Sequence, residues 1–226
     1  MIDYSETVPV QYEKRRTRFM GMDIIVDERV LIPRPETELL VDVAVNFCRQ
    51  KRTGEHYLLD MCTGSGAVAL GIADMLEGVR ITASDISSDA ISVAGENRRV
   101  FGMEERILLV VSDLFDAFGR EYEAAFDCIV SNPPYVSDKD YADLDAWVKA
   151  EPKVALYAGT EGMDYLNRII PESEKYLSPG GLLAVEVGYD QAEKVKDLFK
   201  RCGYVSVSSF RDFNGYERVI AGNKDG

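Results

Sequence analysis

Asn132-Pro133-Pro134-Tyr135 combines groups and stiffness suited to gripping an –NH2 group. The Asn132 side-chain oxygen and the Pro133 carbonyl can both accept hydrogen bonds, and the prolines bring no competing N–H. Two convergent acceptors match a planar –NH2 with two hydrogens to give. Tyr135 adds a flat face against which an amide or a base can lie. The pattern therefore points to an amide or exocyclic amino nitrogen as the reacting atom, without saying which molecule carries it. The same letters also describe an ordinary X-Pro-Pro loop with an aromatic plug. What precedes them decides where they lie. Ala125-Phe126-Asp127-Cys128-Ile129-Val130-Ser131 reads as a buried parallel strand that the prolines cannot extend. The clamp thus falls at a strand's carboxyl end, where open α/β sheets bind ligands.

A second constellation reads as a cofactor cradle. Asp60-Met61-Cys62-Thr63-Gly64-Ser65-Gly66 occupies a strand-to-helix turn, where glycines allow close backbone approach and a helix start offers unpaired N–H groups. Asp85 ends the next strand, where a carboxylate can hold the two hydroxyls of a ribose. Ser112-Asp113-Leu114 ends the third, with a carboxylate for an adenine amino group and an apolar cover for its ring. A dinucleotide would suit this geometry too. However, Cys62 stands where the first glycine of G-x-G-x-x-G would be, and Asp60 is poor company for a pyrophosphate. S-adenosyl-L-methionine, with an adenosine, an ammonium and a sulfonium but no phosphate, fits better. A structural turn beside acidic strand ends is the bland alternative.

The elements that would position these groups alternate. Strands are predicted near 57–61, 79–84, 107–111, 126–131, 181–187, 203–208 and 216–222, with helices near 37–50, 66–76, 88–100, 162–177 and 190–201. Such alternation implies an α/β fold: a Rossmann-like, mostly parallel seven-stranded sheet with helices on both faces. The last two strands, joined around Asn214-Gly215, imply a hairpin and hence an antiparallel strand near the C-terminus. Ahead of the sheet, Arg16–Asp27 reads as a small β-hairpin turning near Gly21, and residues 1–15 read as a polar, poorly ordered lead. The chain is then expected to divide into an N-terminal segment and hairpin, 1–35, and a sheet domain that carries the cradle and the clamp, 36–226. Thr37 is the expected N-cap of the first long helix. Residues 136–160 read as a loop in which Tyr141 and Trp147 pack, or as a lid over the substrate. Glu151 and Arg34 either line the pocket or simply pair with each other or with solvent, and Arg218 reads as a strand-surface residue.

Composition removes several function classes. Among 226 residues, acidic side chains outnumber basic ones to a net charge of −13, and Lys14-Arg15-Arg16 with Arg18 is the one dense basic run. Stable embrace of a nucleic acid is not expected from such a surface. No apolar run is long enough to span a bilayer and no signal-peptide start is present, so a cytoplasmic protein is expected. Cys48, Cys62, Cys128 and Cys202 are widely spaced and read as reduced thiols, and His56 is the only histidine, so neither a metal centre nor a His-dependent triad is expected.

Leu31-Ile32-Pro33-Arg34-Pro35-Glu36-Thr37-Glu38, the loop from Asp60 to Gly66, Asp85 and Asn132 to Tyr135 together resemble the HemK/PrmC family of protein-(glutamine-N5) methyltransferases. The similarity runs from about Val8 to the end and includes Glu151-Pro152, Glu161-Gly162 and Gly215 to Arg218. Asn-Pro-Pro-Tyr is shared with DNA adenine and cytosine amino-methyltransferases, whereas the Pro-Arg-Pro-Glu-Thr-Glu stretch is far more specific. The resemblance implies a class I methyltransferase that uses S-adenosyl-L-methionine, leaving S-adenosyl-L-homocysteine, to methylate the glutamine of the Gly-Gly-Gln motif in a peptide-chain release factor. It assigns Cys62 to Gly66, Asp85 and Leu114 to the cofactor and Asn132 to Tyr135 to the glutamine amide. Cys62 replaces a usual glycine and would tighten that side of the pocket. Family members usually carry a small helical N-terminal domain that helps dock the release factor. This chain begins where the linker to it would lie, so the resemblance covers the catalytic domain without it. The rival readings are methylation of an exocyclic amine on DNA or RNA, which predicts a basic groove or a target-recognition insertion, and a non-catalytic cofactor-binding module, which has no use for an amine clamp.

Overall fold

A computed structural model describes residues 8–51 and 54–226. Its centre is a seven-stranded sheet of β3 (His56–Met61), β4 (Val79–Asp85), β5 (Ile107–Val111), β6 (Phe126–Ser131), β7 (Leu177–Glu186), β8 (Val205–Arg211) and β9 (Glu217–Asn223), ordered β5-β4-β3-β6-β7-β9-β8. All pairings are parallel except those of β9, which runs antiparallel to both β7 and β8. The order reverses direction between β3 and β6, and that switch point is where the clamp meets the cradle.

The period of two along a strand explains the layers. Leu58, Cys128, Val130, Ala184 and Ala221 point to one face, where α2 (Glu38–Gln50), α3 (Ala67–Met75) and α4 (Ser88–Val100) cover them. Their neighbours Leu59, Met61, Ile129, Leu183, Val185 and Ile220 point to the other, against α7 (Leu166–Tyr176) and α8 (Ala192–Arg201). Strands buried on both faces must be apolar throughout, which is why they stand out as continuous runs.

The N-terminal hairpin is present as β1 (Thr17–Phe19) and β2 (Met22–Ile24), paired antiparallel. Phe19, Met22 and Ile24 are buried in the same apolar cluster as α2 and α3. Asn97 of α4 fastens it there. Its Nδ2 donates to the carbonyls of Ile25 and Ser65, both at 2.9 Å, and its Oδ1 accepts from the Ile25 N–H at 2.7 Å. The hairpin and the glycine loop therefore share one buried side chain. The basic run is solvated and paired, Arg15 with Asp27 at 3.1 Å and Arg18 with Asp23 at 3.6 Å, contacts that stabilise little.

Three expectations are corrected. Residues 10–14 form a short helix, α1 (Val10–Lys14), because Tyr12 is buried and its hydroxyl donates to the Val30 carbonyl at 2.6 Å; residues 1–7 lie outside the described residues. Thr37 holds the N-cap position of α2 but does not cap it. It already has helical dihedrals at the end of a 3-10 turn, Pro35–Thr37, and its side chain makes no capping bond. The 136–160 stretch is not a plain loop but carries α5 (Asp138–Asp143), α6 (Ala146–Lys149) and a 3-10 turn, Lys153–Ala155. All four cysteines are free. Among the described residues no helix is long and apolar enough to cross a membrane, and no cluster of His, Cys, Asp and Glu is arranged to hold a metal.

Candidate active site

The carboxyl ends of β3, β4, β5 and β6 open into a cavity at the sheet edge, the place where open α/β sheets bind their ligands. Asp60, Cys62, Thr63, Gly64 and Ser65 line one side, Asp85, Asp113 and Leu114 the next, and Asn132 and Pro134 the far wall. Three expected site residues stand outside the lining. Gly66 turns the chain into α3, and Pro133 and Tyr135 continue the clamp beyond the cavity. Sequence reasoning missed Val30, Leu31 and Pro33 from the N-terminal segment, Val154 and Ala155 from the 136–160 stretch, Tyr165, and Ile86. Only Ile86 carried a signal, an apolar residue after an acidic strand end, left 48% exposed.

The carboxylates are built in. Asp60 is 1% exposed; its Oδ2 accepts from the Thr63 hydroxyl at 2.5 Å and the Ala69 N–H at 3.1 Å. Burial nevertheless pushes its carboxyl up to about 7, against the pull of those two donors and with a further push from Asp85. Asp85 Oδ2 accepts from the Gly64 N–H and Oδ1 from the Ser87 N–H, both at 2.9 Å, so one side chain ties the glycine loop to the end of β4. Burial raises its carboxyl too. Asp113 is held by Arg168 at 3.0 Å. Two lining residues that are not glycine sit in the left-handed region, Cys62 at φ 60° and Leu114 at φ 47°, a conformation costing roughly 1–2 kcal/mol each. Backbone strain of this kind collects at ligand sites. Burial drives the Cys62 thiol upward, which leaves it protonated and unreactive.

The clamp's orientation is set from behind. Asn132 Nδ2 donates to Thr37 Oγ1 at 3.1 Å. Its amide nitrogen is thereby engaged, and among the described residues no donor reaches its Oδ1. The Tyr135 hydroxyl donates to Glu186 Oε1 at 3.3 Å, and Glu186 is 1% exposed. Burial lifts the Glu186 carboxyl to about 7, opposed by the Thr37 hydroxyl, the charge of Arg218 and the Tyr135 hydroxyl, and reinforced by Glu36. Gln191 Nε2 donates to the carbonyls of Tyr135 at 3.0 Å and Gly162 at 3.1 Å, and its Oε1 accepts from the Gly188 N–H at 2.9 Å. Gly162, at φ 68°, has to be glycine, since a Cβ there would lie 2.3 Å from the Tyr135 carbonyl oxygen. Arg34 and Glu151 do pair with each other, and Glu151 Oε2 also accepts from the Ile32 N–H at 3.0 Å. With Trp147 5.7 Å from the Arg34 guanidinium, the 136–160 stretch is held against the proline turn. Arg218 is occupied by Asp212 at 3.0 Å.

Comparison with known proteins agrees with this geometry. A family model described as "Methyltransferase small domain" matches residues 37–150. The release factor glutamine methyltransferase of Clostridium acetobutylicum is 38% identical over 220 residues, 97% of this chain and 76% of that one. That of Chlorobaculum tepidum is 39% identical over 220 residues, 94% of this chain and 74% of its own. The chain belongs to the release factor glutamine methyltransferase family. Among solved structures, the release-factor-specific protein-(glutamine-N5) methyltransferase of Alicyclobacillus acidocaldarius is similar, with a TM-score of 0.53 at 29% identity over 86% of this chain and 95% of that one. A Pyrococcus furiosus methyltransferase shares the fold, with a TM-score of 0.64 at 19% identity over 91% of this chain and 90% of its own. In this member of the glutamine methyltransferase family, the most specific stretch, Pro33 to Glu38, contributes Pro33 and Thr37 to the cavity wall, directly behind Asn132.

Proposed function

We propose that this chain transfers a methyl group from S-adenosyl-L-methionine to the side-chain amide nitrogen, N5, of a glutamine in the Gly-Gly-Gln motif of a peptide-chain release factor. The observation that carries the reading is the direction of the Asn132 hydrogen bond. With Nδ2 given to Thr37, Oδ1 and the Pro133 carbonyl remain as acceptors for two amide hydrogens.

The cavity's chemistry fits the cofactor. Among the described residues Arg29 is the only cation in its lining, and Asp27 at 2.6 Å and Glu96 at 3.0 Å neutralise it. Asp60, Asp85 and a buried Ser65 hydroxyl without a partner remain to face the ligand, with Asp113 shared with Arg168. Such a set repels a pyrophosphate and receives an ammonium, ribose hydroxyls and an adenine amine. Asp60 with Gly64 and Ser65 would hold the amino-acid end, Asp85 the ribose, and Ile86, Asp113 and Leu114 the adenine, with Cys62, Thr63 and Gly66 shaping the turn. Bound there, the cofactor supplies an electrophilic methyl group.

The protein's task is to make an amide nitrogen nucleophilic. Resonance withdraws its lone pair into the carbonyl. Holding both hydrogens on Asn132 and Pro133 fixes the amide plane and stabilises positive charge on nitrogen as the N–CH3 bond forms and the S–CH3 bond breaks; one of the two held protons is then lost to solvent, leaving a neutral N-methyl amide. Tyr135 and Pro134 would form the walls beside it. Incubation with labelled S-adenosyl-L-methionine and, in separate arms, a release factor, DNA and RNA tests the reading. Label in the release factor alone is expected. Label in a nucleic acid, or in none, would overturn it.

A further inference from the structure

We propose that Gln191 is a positioning residue: its side-chain amide ties the far end of the clamp back to β7 and so fixes the direction of the Pro133 carbonyl. The inference rests on the glutamine reading above and adds the residue that holds its second acceptor in place.

The two ends of the clamp are anchored differently. Asn132 follows Ser131, which ends β6, pairs with Met61 of β3 and Val185 of β7, and donates its hydroxyl to the Met61 carbonyl at 2.8 Å. The sheet therefore fixes the start of the clamp. Beyond it, Pro133 and Pro134 have a fixed φ but no N–H, so neither can tie its own main chain down. The direction of the Pro133 carbonyl is left to rotation about ψ and needs an anchor after the prolines. Gln191 supplies one. It lies between β7 and α8, is 6% exposed, and stands outside the cavity lining. Its Nε2 donates to the carbonyls of Tyr135 at 3.0 Å and Gly162 at 3.1 Å, and its Oε1 accepts from the Gly188 N–H at 2.9 Å. Both amide hydrogens are thus spent on main-chain carbonyls. The turn that carries Gln191 is closed as well, because the Gln191 N–H donates to the Gly188 carbonyl at 3.1 Å. A ring results. It runs from Val185 through Gly188 and Gln191 to Tyr135, then back through the clamp to Ser131, the strand partner of Val185. Gly162 packs into the same knot, with no room for a Cβ beside the Tyr135 carbonyl or Gln191 Nε2. The Val136 N–H, bonded to the Leu156 carbonyl at 2.8 Å, ties the next residue to the 136–160 stretch and not to the sheet.

Two variants separate the halves of the side chain. Gln191→Glu keeps the shape and the acceptor for Gly188 but turns an oxygen on the two carbonyls, and Gln191→Met keeps the volume and loses all the bonds. Both should lower kcat with a release factor by about thirtyfold, on the order of a reacting group displaced by roughly an ångström. The Kd of S-adenosyl-L-homocysteine should stay within about twofold in both, since Gln191 does not reach the cavity. If Gln191 only held the Gly188 turn, Gln191→Glu would keep its kcat within about threefold of wild type, and that result would overturn the inference. A loss of kcat that merely tracks a fall in Tm would overturn it too. A wild-type protein that labels no glutamine would instead overturn the proposed function, and hydrogen exchange then decides the role. In Gln191→Met the Val136 amide should exchange at least about tenfold faster than in wild type, with no change at the Ile81 amide of β4, bonded to the Arg106 carbonyl at 2.8 Å. Equal exchange at Val136, or a rise matched at Ile81, would refute the anchor.

Discussion

Binding of S-adenosyl-L-homocysteine should strengthen as pH rises through neutrality, and Asp60 should be the cause. Its carboxyl lies at about 7 because burial outweighs the Thr63 and Ala69 hydrogen bonds. A ligand ammonium pairs only with the ionised form, so binding must first pull a proton off. With a carboxyl at about 7, roughly one Asp60 in ten is ionised at pH 6 and about three in four at pH 7.5, which makes the affinity gain roughly eightfold. That window lies below the titration of the ligand's own amine. Isothermal titration calorimetry in buffers of differing ionisation heat gives both quantities: the Kd, and close to one proton released at pH 6. Asp60→Asn should bind more weakly at every pH and lose the slope. A Kd flat within twofold from pH 6 to 7.5, with no proton release, would refute the pairing. A slope that persisted in Asp60→Asn would move it to Asp85, the other lining carboxyl that burial raises.

Asn132→Ala removes an acceptor that acts on the amide alone, so kcat should fall about a hundredfold while the Kd of S-adenosyl-L-homocysteine changes little; steady-state kinetics beside calorimetry check this. Gly162→Ala forces a Cβ to within 2.3 Å of the Tyr135 carbonyl oxygen at φ 68°, which should cost about 2–4 kcal/mol by combining left-handed strain with overpacking. Denaturant unfolding measures that cost, and turnover should fall with it as Tyr135 is displaced. Stability of the cofactor-free protein should decline between pH 4.5 and about 7. Asp60 and Glu186 both have folded-state values of about 7, above their unfolded values near 4, so their stabilising protonation is complete below the unfolded value and lost as pH rises through the folded one. Each contributes up to about 3 kcal/mol to the fall, and Glu186→Gln should remove its share, as read by Tm against pH.

The centre of the sheet was readable because its inner strands are buried on both faces and therefore largely apolar, as in Leu58-Leu59 and Cys128-Ile129-Val130. The acidic strand ends were readable because Asp60, Asp85 and Asp113 each interrupt or close such a run. Glu186 escaped notice for a related reason. It closes an equally apolar run, Leu182 to Val185, but its hydrogen-bond partner Tyr135 is distant in sequence. Thr37 misled because a local rule, the capping preference, gave way to a tertiary contact with Asn132. The short helices α5 and α6 have no buried residue, so no apolar periodicity marked them. In α1 a single buried side chain, Tyr12, anchors an otherwise polar stretch.

The most direct test of a two-acceptor grip on an amide is the position of the transferred methyl. A release factor treated with the protein and S-adenosyl-L-methionine should yield, by tandem mass spectrometry, one added methyl on a glutamine side chain, and acid hydrolysis of that peptide should liberate methylamine. A methyl placed on a main-chain nitrogen, a carboxylate oxygen or a ring nitrogen would contradict the account.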